Sequence, residues 1–257
     1  MRTTKAIILA AGQGTRLRPL TDDIPKCMVR VNEKPILEWQ IEVLNACGVD
    51  EITVVTGYKE EEITDSRVKK VFNPQFESTN MVYSLMCAEN DFSGDLILAY
   101  GDIIYSRQVL QSVLNNEGDI MVVSDEQWQS YWEERFDNPL SDAETFITGP
   151  NRTVKSLGQK AESTDQIQGQ FTGLMKFSAS GSEELKRVYH KCKKDKDCRK
   201  NSWGSGRALE NTYMTDILNF LSQKSSVSYV PIRRGWFEID DIDDLKIASQ
   251  NIDEILQ

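Results

Sequence analysis

The chain has 257 residues, a formal net charge of −10 and 39% hydrophobic residues. That length allows a sizeable buried core, and the acidic balance argues against general nucleic-acid or anionic-membrane binding while leaving room for a local basic pocket. No apolar run approaches the roughly 20 residues of a membrane span, the N-terminus runs straight into a strand rather than a signal peptide, and the five scattered cysteines, odd in number, are expected to be free thiols of a reducing cytoplasm.

In chain order, apolar runs predict strands over residues 5–11, 51–56, 68–72, 95–100 and 119–123, alternating with helices over 35–47, 80–90 and 106–115. Pro35 suits a first helical position and Gly48 a helix stop. The alternation predicts an α/β fold, a parallel sheet with helices on both faces. The second half is less regular, with strand-like runs at 153–157, 170–177, 227–232 and 236–239 and helices at 181–194, 212–222 and 242–255. No repeat, low-complexity tract or linker interrupts the chain. One domain over residues 1–257, its C-terminal half shaping a substrate pocket, is the simplest organisation.

The first strand opens into Gly12-Gln13-Gly14-Thr15-Arg16, and Lys26 follows behind Pro25. Glycines let backbone N–H groups approach an anion closely, and the end of a parallel strand is where α/β proteins bind ligands. Arg16 offers a planar fork for phosphate oxygens and Lys26 a point charge. A dinucleotide fingerprint would need a third glycine where Leu17 stands, followed by a helix that Pro19 and Pro25 forbid. A Walker loop would need Gly-Lys-Ser/Thr, which is absent. A plain tight turn is the other reading of the two glycines alone.

The full string Leu9-Ala10-Ala11-Gly12-x-Gly14-Thr15-Arg16-Leu17 followed by Pro25-Lys26 resembles the N-terminal signature of the sugar-phosphate nucleotidylyltransferase superfamily. These enzymes join a nucleoside monophosphate from an NTP to a phosphorylated metabolite and release pyrophosphate. The resemblance implies a Rossmann-like three-layer sandwich around a mostly parallel, mixed sheet. It also implies that Leu9, Ala10, Ala11, Gly12, Gly14 and Thr15 bind the nucleotide, and that Arg16 and Lys26 contact the phosphates of the transition state.

Leu96–Tyr100 ends in Gly101-Asp102, a carboxylate at the ligand end of a strand, suited to Mg²⁺ held by one or two carboxylates plus substrate phosphates. Capping of the following turn is the other reading of Asp102. In Trp236-Phe237-Glu238-Ile239-Asp240-Asp241, Glu238 and Asp240 face one side of a strand, so one of them is placed to complete a Mg²⁺ site. The Glu-Ile-Asp string resembles the late metal motif of the family's cytidylyltransferase branch, which implies Asp240 as the second ligand. Asp241, Asp243 and Asp244 read as helix-capping and first-turn acids on a solvated surface.

Asn80 and Ser84 lie four apart near a helix start, where Asn can read a nucleobase edge or simply cap the helix. Asn80-x-x-Tyr83-Ser84-Leu85 is similar to a pattern of phosphocholine-type cytidylyltransferases, which implies that Asn80 and Ser84 meet the nucleoside of CTP. Lys160 corresponds to the region where the family places a lysine on the acceptor phosphate, although the Glu-Lys-Pro motif of hexose-1-phosphate enzymes is missing. Residues 134–144 and Glu210-Asn211-Thr212-Tyr213 look closest to the enzymes that act on phosphocholine or phosphoglutamine, making Glu210, Asn211 and Tyr213 acceptor-pocket candidates.

Trp128, Tyr131 and Trp132 fall at helical spacing and read as a core face, with a cage for a quaternary ammonium as the alternative. His190, Cys192 and Cys198 lack the paired spacing of a zinc site and read as a solvated, mobile helix end whose lysines could form a lid over anionic ligands. The residues together predict in-line attack of an acceptor phosphate or phosphonate oxygen on the α-phosphorus of an NTP, by positioning and charge neutralisation. A CTP-dependent cytidylyltransferase with a small non-sugar acceptor is the leading reading. A UTP- or dTTP-dependent hexose-1-phosphate enzyme and a non-catalytic nucleotide-binding protein are the alternatives.

Overall fold

The computed structural model describes residues 4–224 and 227–255. In chain order its elements are β1 (Thr4–Ala10), β2 (Arg30–Val31), β3 (Lys34–Pro35), α1 (Ile36–Ala46), β4 (Glu51–Thr56), β5 (Val68–Phe72), α2 (Met81–Cys87), β6 (Asp95–Tyr100) and β7 (Ile103–Tyr105). There follow α3 (Arg107–Asn115), β8 (Ile120–Asp125), α4 (Trp128–Arg135), β9 (Glu144–Thr148), β10 (Val154–Lys160) and β11 (Gln170–Phe177). The last are α5 (Ala179–Lys194), α6 (Lys196–Lys200), α7 (Met214–Lys224), β12 (Val227–Ile232), β13 (Trp236–Glu238) and α8 (Ile242–Ile255).

A seven-stranded sheet runs β12-β8-β11-β6-β1-β4-β5. Its pairings are parallel except those of β11, which lies antiparallel to both β6 and β8. The sheet is therefore mixed and mostly parallel, with helices on both sides. The alternation of β1 shows why. Ala6, Ile8 and Ala10 pack with α1, α3, α4 and α8 on one face, while Ile7 packs with α2, α5 and α7 on the other. A strand buried on both faces must be apolar throughout, which is why Ala6–Ala11 reads as a continuous run.

The predicted elements are present with shifted ends. Pro35 closes β3 and precedes α1 rather than opening it, whereas Gly48, at φ +79°, ends α1 as expected. The side chain of Asn80 caps α2 by accepting from the Met81 N–H at 2.8 Å. Asp241 caps α8, accepting from the N–H groups of Asp243 and Asp244 at 2.9 and 3.0 Å.

One expectation is overturned. Cys192 and Cys198 form a disulfide that joins α5 to α6, so two of the five cysteines are not free thiols. Cys192 is buried and Asp195 caps α6 with bonds of 2.9 and 3.0 Å, while the lysines and Arg199 around them stay exposed, so the run is solvated as expected but pinned at one corner. His190 is engaged with Glu89 at 2.6 Å. The odd count misled because pairing depends on spatial approach, which six residues of separation across a helix break supply here. Reduction of this bridge is expected to lower stability by about 2 kcal/mol, the value for a short closed loop. Urea unfolding with and without reductant measures it, and coincident transitions would show that the bridge does not constrain the unfolded chain.

Among the described residues, no helix is long and apolar enough to cross a membrane.

Candidate active site

The glycine loop, the turn after β6 and the turn after β13 meet at the ends of the central strands. Gly14 sits at φ +67°, and a Cβ there would stand 2.9 Å from Lys26 Cβ. Both the left-handed backbone and the close approach demand glycine. Thr21 locks the loop by donating from Oγ1 to the Gly14 carbonyl at 2.8 Å. Gly12 differs, because a Cβ there would meet nothing within 4 Å. The space beside it belongs to a cleft of about 160 Å³, lined in part by Leu9, Ala10, Ala11, Lys26, Asn80 and Ser84. Thr15 lies outside that lining, at the start of a single 3-10 turn over Thr15–Leu17, and no longer helix follows.

The Gly101-Asp102 turn is held from three directions. The Gly101 N–H donates to the Leu9 carbonyl at 2.9 Å, and a Cβ on Gly101 would lie 2.6 Å from that same oxygen. The buried Gln40 of α1 donates to the carbonyls of Tyr100 and Ile103 at 2.9 and 2.8 Å, bracketing the turn. The Ile239 N–H donates to the Asp102 carbonyl at 2.9 Å, tying this turn to the one that carries Asp240.

Lys26 is the meeting point. Its Nζ lies 2.6 Å from Asp102 Oδ2 and 2.5 Å from Asp240 Oδ1, with the three side chains 15%, 19% and 14% exposed. Arg16 reaches Asp240 Oδ1 at 2.9 Å from a mostly exposed position. Burial alone would depress the Lys26 ammonium, but the two carboxylates override it and hold its pKa well above the ordinary lysine value. Burial would likewise raise Asp240, and Lys26, Arg16 and Arg135 together hold it below the usual carboxylate range.

Asp102 Oδ1 is buried without a hydrogen-bond partner. Two converging carboxylates and an unsatisfied hard oxygen fit a divalent cation that takes its remaining ligands from phosphates and water. No group of three or more His, Cys, Asp or Glu suited to a metal occurs among the described residues, which a site of this sparse kind does not require.

A second cavity of about 360 Å³, lined in part by Asp240, adjoins the first at Met81 and Tyr100. Glu238, Asp142, Glu144, Gln170, Arg207 and Tyr213 are among its lining residues. Of the four predicted acceptor residues only Tyr213 is there, with the Arg207 guanidinium 4.6 Å from its ring centre. Lys160 is exposed at the end of β10 and lies outside this lining. Glu210 pairs with Arg199 at 3.6 Å, and Asn211 is exposed. Their segment is tied instead to the cleft beside the glycine loop, since the Glu210 carbonyl accepts from the N–H of Asn80, which lines it, at 2.8 Å. Asp142 and Glu144 lie within the 134–144 string without having been singled out, and Gln170 and Arg207 carried no local motif. The basic run over α5 and α6 contributes to neither cavity lining.

The Trp128/Tyr131/Trp132 stripe is core. All three side chains are buried, and the cations over Tyr131 belong to the protein, with Arg234 at 3.8 Å and Arg135 at 5.3 Å from the ring centre. Of the three, only Trp132 reaches the second cavity, where its indole N–H donates to Asp142 at 3.1 Å. Asp244, expected on a solvated surface, is buried against Arg135.

A parallel-sheet cleft with a glycine loop, a lysine between two carboxylates and an adjoining second cavity defines a nucleotide-handling transferase. Residues 6–178 match the MobA-like NTP transferase domain, and the chain belongs to this family of nucleotidyltransferases. It is similar to the CTP:phosphoglutamine cytidylyltransferase of Campylobacter jejuni, with 37% identity over 94% of this chain and 98% of that one. The choline-phosphate cytidylyltransferase of Streptococcus pneumoniae is 41% identical over 37% of this chain and 43% of its own length. The solved structure of the CTP:phosphocholine cytidylyltransferase from that organism superposes with a TM-score of 0.72 at 22% identity, over 98% of this chain and all of that one, and so shares its fold.

Proposed function

We propose that this protein is a cytidylyltransferase. It transfers CMP from CTP to a small phosphorylated or phosphonate metabolite of the kind named for its Campylobacter relative, and releases pyrophosphate. The observation that carries the reading is the Lys26–Asp102–Asp240 cluster, set between a cleft beside the glycine loop and a separate polar cavity. The two cavities adjoin at Met81 and Tyr100, so two substrates held in them would meet beside the cluster, as a displacement between them requires.

In this reading Leu9–Gly12, Asn80 and Ser84 hold the nucleotide. The Ser84 hydroxyl accepts from Asn73 at 3.0 Å and is thereby oriented, while the Asn80 oxygen is spent on its helix cap and leaves the amide N–H₂ to face a base. The acceptor's phosphate oxygen attacks the α-phosphorus, a P–O bond forms, and the bond to the β-phosphate's bridging oxygen breaks as pyrophosphate departs. The nucleophile is already ionised, so no general base is needed. Lys26 stabilises charge on the α-phosphate, and Arg16 holds the leaving group. Asp102 and Asp240 would hold Mg²⁺, which when bound neutralises charge on the phosphate oxygens. Tyr213 and the Arg207, Glu144 and Gln170 side chains would receive the acceptor's tail.

Both halves of the chain supply strands to one sheet, which supports a single catalytic domain over residues 1–257. We place the reaction in the cytoplasm, where CTP is available, with no nucleic acid or membrane as partner. Pyrophosphate release across four NTPs, with phosphoglutamine, phosphocholine, phosphoethanolamine, aminoethylphosphonate and glucose-1-phosphate as acceptors, tests the assignment. CTP with a non-sugar acceptor is the expected active pair. Activity confined to UTP or dTTP with glucose-1-phosphate would favour the hexose-phosphate alternative, and no release from any pair would point to a non-catalytic nucleotide binder.

A further inference from the structure

We propose that Arg135 is the positioning residue of this site, orienting the Asp240 carboxylate from behind. The inference rests on the reading of Asp102 and Asp240 as metal ligands.

Arg135 ends α4, and its side chain is 0% exposed. The guanidinium grips Asp244 in a two-pronged pair, Nε to Oδ1 at 2.7 Å and Nη2 to Oδ2 at 3.0 Å. Its third nitrogen donates to Glu238 at 2.8 Å, and Nη2 stands 3.9 Å from Asp240 Oδ2. Asp244 passes the constraint on, because its Oδ2 also accepts from the backbone N–H groups of Asp240 and Asp241 at 2.9 and 3.3 Å. One guanidinium thus holds the turn from Glu238 to Asp244 at both ends.

Tyr131, one helical turn before Arg135, clamps the same turn. Its hydroxyl accepts from the Glu238 N–H at 3.0 Å and donates to the Glu238 carbonyl at 3.3 Å. The guanidinium is walled by the rings of Tyr131, Trp132 and Phe136, 5.0–5.3 Å from its carbon, which leaves little freedom to swing.

The consequence falls on Asp240. Its Oδ1 faces Lys26 and Arg16, and its Oδ2 faces Arg135. The direction in which the carboxylate presents itself to the cleft is set from both sides. A buried cation serving several carboxylates is a poor way to gain stability, since apolar packing of the same volume does as well. What it supplies is a fixed geometry. Lysine could not replace it, because a single ammonium cannot span Asp244 and Glu238 with the same planar fork. Arg135 lies outside both cavity linings, so its influence on the reaction must act through the residues it holds, Asp240 and its turn neighbour Glu238.

The test compares the wild type with Arg135→Lys and Asp244→Asn. Mn²⁺ serves as the probe, its binding followed by loss of the free-ion electron paramagnetic resonance signal with CTP present and no acceptor, after subtracting the loss that CTP alone produces. Folding is checked by thermal unfolding, and kcat and KM for CTP are measured separately. In a folded variant, Mn²⁺ affinity and kcat are expected to fall by about 10- to 100-fold, as for other residues that orient a metal ligand. KM for CTP should stay within about twofold, because the nucleotide cleft is formed elsewhere. If Arg135→Lys does not fold, the same comparison is made on Asp244→Asn, which keeps the side-chain shape and loses the ion pair. Lowered melting temperatures with Mn²⁺ affinity and kcat at wild-type levels would make Arg135 a merely structural residue and overturn the proposal. A wild type that neither binds Mn²⁺ nor releases pyrophosphate would instead overturn the underlying assignment of the site.

Discussion

Lys26→Ala is expected to lower turnover by about 10³-fold, the scale on which removal of one preorganised charge-stabilising group acts. The ammonium is desolvated and held between Asp102 and Asp240, so it meets a developing negative charge without reorganising. The substitution also leaves two mostly buried carboxylates without their shared cation, at a cost of about 3 kcal/mol in the absence of divalent ions. A divalent cation supplies the missing charge and no longer competes with the lysine. Mg²⁺ is therefore expected to raise the melting temperature of the variant more than that of the wild type. Single-turnover kinetics and melting curves with and without Mg²⁺ read the two effects, and turnover within about tenfold of wild type would remove Lys26 from the chemistry.

Asp240→Asn is expected to cost about 10²- to 10³-fold in turnover, several kcal/mol of lost metal-assisted charge stabilisation, together with a higher Mg²⁺ requirement. Asparagine keeps the shape but leaves Lys26, Arg16 and Arg135 around a neutral group. The stability change has a defined pH dependence. The folded pKa of Asp240 lies below its unfolded value of about 3.9, so the ionised aspartate stabilises the fold above that value. Its contribution disappears as pH falls through the lower folded pKa. Wild type and variant should differ at neutral pH and converge in acid. An unchanged Mg²⁺ titration would exclude Asp240 as a ligand.

Much of the site could be read from the chain because phosphate chemistry leaves local marks. Gly14 is obligatory at its φ and beside Lys26, and Asp102 and Asp240 stand at strand ends where ligands bind. Aromatic spacing in α4 correctly indicated a core face. The second cavity was read unevenly, because Asp142, Glu144, Tyr213, Glu238 and Asp240 fall within strings the chain itself marks, whereas Gln170 of β11 and Arg207 before α7 carry no motif. Lys160 and Glu210 looked suitable by position along the chain, yet neither lines that cavity.

The amino-acid sequence alone was enough to establish the α/β architecture, the glycine loop and the candidate charges, since backbone preference, burial periodicity and phosphate-loop spacing are local properties. Which charges meet was settled only in three dimensions. Lys26 joins Asp102 and Asp240, Arg135 joins Glu238 and Asp244, and Cys192 joins Cys198. Coulombic attraction and desolvation depend on separations of a few ångströms between groups far apart in the chain, and the packing of helices against both faces of the sheet sets those separations.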